Sequence, residues 1–89
     1  MMNHNKFKAS IKVGLKASVL DPQGKTVLNA LHSLGFNEAK DTRVGKYFEV
    51  VLEGSDRASV ETRVRQFCEK LLVNPVIEHY SFEVEETKE

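Results

Sequence analysis

The sequence predicts an α+β fold of order β-α-β-α-β, a small, mostly antiparallel sheet with two helices on one face. Three observations carry that reading. Apolar and polar residues alternate near residues 7–15, 40–53 and 76–84, the period-2 signature of strands with one wet face. Between them lie two stretches with apolar residues at helical spacing, each preceded by an aspartate able to cap a helix. Asp21-Pro22, Gly35, Ser55-Asp56 and Asn74-Pro75 punctuate the chain between these stretches.

The first strand puts Phe7, Ala9, Ile11, Val13 and Leu15 on one side and Lys8, Ser10 and Lys12 on the other. Residues 1–5 precede it without a period and are expected to form a disordered tail, with one domain over 6–85 and a charged tail over 86–89. The first helix is expected at about 22–34. Asp21 can accept from free amides, Pro22 loses nothing at the first helical position, and Val27, Leu31 and Leu34 form a stripe. Gly35 can stop the helix in a left-handed conformation, with Phe36 folding back toward Leu31.

From 40 to 53 the alternation admits either a hairpin at Gly45-Lys46 or one long strand bent at the glycine. Parity favours the long strand, which groups Thr42, Val44, Phe48, Val50 and Leu52 on a mostly apolar face. The second helix, 56–72, carries the stripe Val60, Val64, Phe67 and Leu71. Arg57, Glu61, Arg65 and Glu69 alternate in sign along its other side, which reads as a solvated face. The third strand sets Val76, Tyr80, Phe82 and Val84 against His79, Ser81, Glu83 and Glu85.

Composition narrows the function. With 89 residues there is one domain, below the usual ~100–200, and little core volume for a deep cleft. Thirteen basic side chains balance thirteen acidic ones, so no net field draws in nucleic acid or an acidic membrane. Cys68 has no internal partner for a disulfide, no apolar stretch approaches 18 residues, and the first eight residues lack a signal-peptide core. A cytoplasmic protein is expected.

No catalytic set emerges from the residue types. His4, His32 and His79 lack the short spacing of a metal pair, so no metal site is expected, and Cys68 sits beside the apolar stripe as a buried thiol. Phosphate-binding loops and nucleophile elbows are absent. Tyr47 and Val51 fall on the outer face of the second strand among charges, which points to a second layer supplied by another copy of the chain. Gly24 in the first turn of a helix costs stability and leaves room for close approach by a backbone, a partner or an anion, although Asp21 competes for the free amides. Gln23 and Gly24, with the long donors Arg43 and Lys46 beside the bending Gly45, are expected to form partner-facing surface together with Asp21.

Several motifs occur in an order that resembles the PurS family from Phe7 to about Glu85. They are Val19-Leu20-Asp21-Pro22-Gln23-Gly24, Ala30-Leu31, Leu34-Gly35-Phe36, Arg43-Val44-Gly45-Lys46-Tyr47, and the run from Cys68 to Glu78. The resemblance implies the small, non-catalytic subunit of phosphoribosylformylglycinamidine synthase, an ATP-dependent carbon–nitrogen ligase of purine biosynthesis that takes its amide nitrogen from glutamine. It implies three kinds of partner: further copies of the same chain in a dimer or tetramer, a PurQ-like glutaminase, and a large PurL-like synthetase that uses ATP and magnesium. The implied work of the small subunit is to bridge the other two and assist ammonia transfer, with no cofactor of its own. Two other classes have distinct requirements. A ferredoxin-like small-molecule sensor needs a ligand pocket at a dimer interface, and an RNA-binding sheet needs exposed stacking aromatics on a basic surface, which this sequence does not supply.

Overall fold

Asn5 stands opposite Gly54 at one end of an antiparallel ladder that organises the whole chain. The computed structural model describes residues 5–87; residues 1–4 of the expected tail at 1–5, and the last two residues, lie outside the described residues. The elements are β1 (Asn5–Leu15), α1 (Pro22–Ser33), β2 (Lys46–Gly54), α2 (Arg57–Phe67) and β3 (Glu78–Thr87), with a π-helical turn over Cys68–Leu72 after α2. The sheet order is β2-β1-β3, both pairs antiparallel. The strand whose inward residues are most completely buried, Phe7, Ala9, Ile11 and Val13, is therefore central. Ile11 faces Phe48 and Phe82, and Ala9 faces Val50 and Val84, so the inward positions of all three strands share one face.

α2 lies on that face. Asp56 caps it by accepting from the Ser59 amide at 2.8 Å, and Val60, Val64 and Cys68 are buried against Phe7, Ala9, Ile11, Val13 and Val84. The expected stripe holds for Val60 and Val64 and then shifts. The Val73 amide donates to the Cys68 carbonyl at 3.0 Å, five residues back, which widens the last turn and leaves Leu71 82 % exposed. On the supposed solvated side, Arg57 donates to the Val84 carbonyl and lies 3.9 Å from Glu61, while Arg65 covers the Phe82 ring at 5.7 Å. Two of the four ladder charges thus hold α2 to β3.

The class and element order are those the sequence predicts, and several boundaries differ for identifiable reasons. β2 begins at Lys46, so the expected long bent strand is shorter. Upstream, the Val44 amide is taken by the Asp21 carboxylate and the Thr42 amide by Asp41, leaving side-chain bonds where a ladder would be. β1 starts at Asn5, which pairs with Gly54, and β3 runs to Thr87, because Glu86 and Thr87 pair with Phe7 and Lys6. Val76 precedes β3, in a turn whose backbone is held by Asn74.

The largest difference concerns α1. α2 alone covers the inner face, while α1 packs on neither the sheet nor α2 to a comparable extent. It projects from the end of the sheet, and the chain measures 60 × 28 × 14 Å. The radius of gyration is 17.4 Å. A compact domain of this length would have about 12 Å.

Polar bonds, more than apolar packing, fasten α1. One oxygen of Asp21 accepts from the Gly24 amide at 2.9 Å and the other from the Val44 amide at 2.8 Å. A Cβ on Gly24 would lie 2.3 Å from the Thr42 carbonyl oxygen, so the absent side chain admits the chain's own backbone. Arg43 Nη2 donates to the carbonyls of Lys16 at 2.9 Å and Val19 at 3.0 Å. At the far end Gly35 has φ 97°, its amide donates to His32 and the Phe36 amide to Leu31, the expected Schellman stop.

The Gly24→Ala variant should therefore be destabilised by ~1–3 kcal/mol through overpacking. Thermal unfolding followed by circular dichroism should show a drop of about 4–8 °C for each kcal/mol. The Val44 and Gly24 amides hold the Asp21 carboxyl below its usual range, and the Ser59 amide does the same for Asp56. Because these pKa values are lowered on folding, their stabilisation is complete above about pH 4 and is lost as pH falls through the folded values. The thermal midpoint should hold at neutral pH and fall in acid, less steeply in Asp21→Asn and Asp56→Asn variants.

Candidate functional site

The residues singled out by sequence converge on the end of the sheet where β1 departs and β2 and β3 begin. A hollow of about 230 Å³ on the inner side is lined by Asp21, Gln23, Val44, Gly45, Lys46 and Glu78 among others. On the outer side a broader depression of about 580 Å³ lies between Lys12, Arg43, Tyr47, His79 and Ser81. Gly45 separates the two. Its backbone passes so close to β1 that a Cβ would lie 2.4 Å from the Val13 carbonyl oxygen.

Glu78 organises the inner hollow. One carboxylate oxygen accepts from the Asn74 amide at 2.8 Å and the other lies 3.3 Å from Lys46 Nζ. Those contacts, the Asn74 amide first, hold its carboxyl below the usual range despite partial desolvation. The start of β2, the start of β3 and the Asn74-Pro75 turn are thereby tied at one carboxylate. Lys16 reinforces the turn, its backbone amide donating to Ile77 and its Nζ to the Pro75 carbonyl at 2.7 Å.

The expected partner-facing set divides accordingly. Asp21, Gly24 and Arg43 build the joint of α1, and Lys46 shares its charge with Glu78 while staying half exposed. Gln23 is exposed on the rim of the inner hollow. Sequence reasoning singled out neither Glu78 nor Lys16 as a site residue. Glu78 could have been found as the one carboxylate following Asn74-Pro75 at capping distance for the turn.

Tyr47 and Val51 stand on the uncovered face of the sheet, with Tyr47 donating to Glu49 at 3.1 Å. Rows across that face run Tyr47–Lys12–Ser81, Glu49–Ser10–Glu83 and Val51–Lys8–Glu85. A lysine-bearing central strand is thus flanked by acidic edges, and among the described residues no polar or charged side chain is buried.

Such a surface suits contact better than catalysis. Cys68 is fully enclosed, and burial pushes its thiol pKa up, away from the thiolate needed of a nucleophile. His32 Nε2 lies 2.7 Å from the Ala39 carbonyl, occupied in the loop after α1. Among the described residues no group of three or more His, Cys, Asp or Glu is placed to hold a metal ion. No helix there is long and apolar enough to cross a membrane.

Comparison with known proteins agrees across sequence and structure. The family model described as "PurS: Phosphoribosylformylglycinamidine (FGAM) synthase" matches residues 8–86. Phosphoribosylformylglycinamidine synthase subunit PurS of Bacillus subtilis is 54% identical over 80 residues, covering 90% of this chain and 94% of the relative. The solved structure of Methanocaldococcus jannaschii PurS, one of the subunits of formylglycinamide ribonucleotide amidotransferase in the purine biosynthetic pathway, superposes with a TM-score of 0.83 at 36% identity. That alignment covers 92% of this chain and 99% of the other. A chain in the structure of PurLQS from Thermotoga maritima gives a TM-score of 0.81 at 35% identity, covering 92% and 98%. A model match over nearly the whole length, together with these relatives, places the chain in the PurS family of phosphoribosylformylglycinamidine synthase subunits.

Proposed function

We propose that this chain is the non-catalytic subunit that joins a glutaminase to an ATP-dependent synthetase and assists the passage of ammonia between them, for conversion of formylglycinamide ribonucleotide to formylglycinamidine ribonucleotide in the cytoplasm. The observation that carries the reading is the likeness to a chain of PurLQS from Thermotoga maritima, combined with a surface of hollows and exposed apolar groups in place of an assembled catalytic set. ATP and magnesium belong to the synthetase in this scheme, and glutamine to the glutaminase.

A bridging subunit has a physical task. Ammonia released into water is mostly protonated, and ammonium has no lone pair with which to attack an activated carbonyl. Holding the two active sites in one assembly and excluding water between them preserves the nucleophile. The sheet end, with exposed Gln23 and half-exposed Lys46 on a frame braced by Asp21 and Glu78, supplies orienting contacts without needing to fold around the partner. The elongated form and the exposed Tyr47 and Val51 further support association of the chain with copies of itself.

The isolated chain should neither hydrolyse glutamine nor consume ATP, and its addition to the glutaminase and synthetase should restore glutamine-dependent synthesis. Glutaminase activity in the pure chain would overturn the assignment. At the sheet end, Gln23→Ala and Lys46→Ala should change stability by no more than about 0.5 kcal/mol. Arg43→Ala should lower the thermal midpoint, since two carbonyls lose their donor. At least one of the three should weaken assembly or uncouple glutamine hydrolysis from product formation. Wild-type assembly and coupling in all three would remove this end of the sheet from consideration.

A further inference from the structure

The depression on the outer side of the sheet end differs in charge from the rest of that face. Farther along the strands every row carries a glutamate: Glu49 and Glu83 beside Ser10, Glu85 beside Lys8, and Glu53 beside Lys6. The depression, of about 580 Å³, is lined by Lys12, Arg43, Lys46 and His79 and by no acidic residue. In a chain with thirteen basic and thirteen acidic side chains, this separation leaves a local positive field that the net charge conceals.

Its floor is backbone. Gly14 and Gly45 bring no side chains there, and a Cβ on Gly14 would lie 3.2 Å from His79 Cε1, so the imidazole rests over the central strand. Lys12 and Ser81 stand opposite one another in the ladder, and His79 shares their face two residues before Ser81, about 7 Å along the strand. Among the described residues, the Lys12, His79 and Ser81 side chains have no hydrogen bond or ion pair. Arg43 is fixed through Nη2, which donates to the carbonyls of Lys16 and Val19, and its Nη1 and Nε remain as further donors. Lys46 turns its ammonium to Glu78 on the inner side, and Tyr47 gives its hydroxyl to Glu49. The first therefore adds only part of its field, and the second a ring.

We infer that this depression binds the phosphate group of a small molecule, with Lys12, His79, Ser81 and the remaining N–H groups of Arg43 as donors and the Tyr47 ring as a wall for the organic part. The donors come from β1, from β3 and from the segment ahead of β2, and so approach from different directions. That arrangement suits a tetrahedral anion with several acceptor oxygens better than a flat carboxylate. The volume falls in the ~300–1,000 Å³ of small-molecule sites and exceeds what inorganic phosphate fills, so a phosphate ester of nucleotide size is the expected ligand. The bridging role proposed above assigns no ligand to this chain, and the two readings stand or fall separately.

Inorganic phosphate, adenosine monophosphate and adenosine serve as probes, titrated into the intact isotope-labelled chain at constant ionic strength while amide resonances are followed by NMR. Phosphate and the monophosphate should shift the Gly14, Gly45, His79 and Ser81 amides saturably, the monophosphate more tightly, and adenosine should leave them in place. Equal affinity for the two anions would support the site with free phosphate as its ligand. Lys12→Gln and His79→Gln should each weaken binding about tenfold with an unchanged circular dichroism spectrum, since both side chains are exposed. No saturable shift below about 10 mM, or undiminished affinity in both variants, overturns the site. The same shifts produced by chloride would reduce the effect to charge screening and equally overturn it. Loss of assembly with the glutaminase and synthetase in Lys12→Gln, with these amides indifferent to phosphate, would show that the basic set meets a protein carboxylate and would also overturn it.

Discussion

The carboxylate of Asp21 is the joint on which the arrangement turns. One oxygen opens α1 through the Gly24 amide, and the other captures Val44 at the far side of the α1 excursion. A single side chain thus sets where the helix starts, how the returning chain meets the sheet, and where β2 is free to begin. Two backbone amides are neutralised by one charged acceptor, an economical way to anchor a segment with little apolar packing of its own. Gly24 makes the closure possible by letting the Thr42 carbonyl approach to a distance that a methyl group would occupy. Arg43 completes the joint from the returning segment ahead of β2.

The core behind this joint is thin. Phe7, Ala9, Ile11 and Val13 of the central strand meet Val60, Val64 and Cys68 of one helix, with Val84 and Val73 closing the sides. Edge-strand residues Phe48, Val50, Leu52, Tyr80 and Phe82 are only partly buried against it. Apolar side chains half covered within one chain gain their remaining hydrophobic stabilisation only when another surface excludes the water. The polar joint and the incomplete core belong together: the helix that would finish the core is held away from it.

Much of this was legible in the sequence, and the limits have physical causes. Alternation identified the inward faces of all three strands, and Asp21-Pro22, Asp56 and Gly35-Phe36 marked helix ends by chemistry that operates locally. What local chemistry cannot encode is direction after the cap. Nothing in the stripe Val27, Leu31 and Leu34 says whether its apolar partner lies in the same chain, so α1 was expected on the sheet it leaves. The long second strand failed for a related reason: Thr42 and Val44 have the right parity, but a carboxylate 23 residues away claims the Val44 amide. The π turn was equally invisible, since one five-residue bond at Cys68 rotates Leu71 outward without altering the apolar spacing. At the candidate site the named residues did gather at one end of the sheet, yet the roles of Asp21, Gly24 and Arg43 in the joint depend on contacts across loops.

The acidic flanks of the sheet have a consequence for the chain before it finds any partner. β2 and β3 are open edges, with Glu49 and Glu53 along one and Glu83 and Glu85 along the other. Bringing two such edges together would place carboxylates near carboxylates across the new seam, which is unfavourable for cross-strand pairing. The lysines that could relieve them sit on the central strand, already between the two rows. Like charge along both open edges therefore disfavours edge-to-edge extension of the sheet, even though the net charge of the chain is zero.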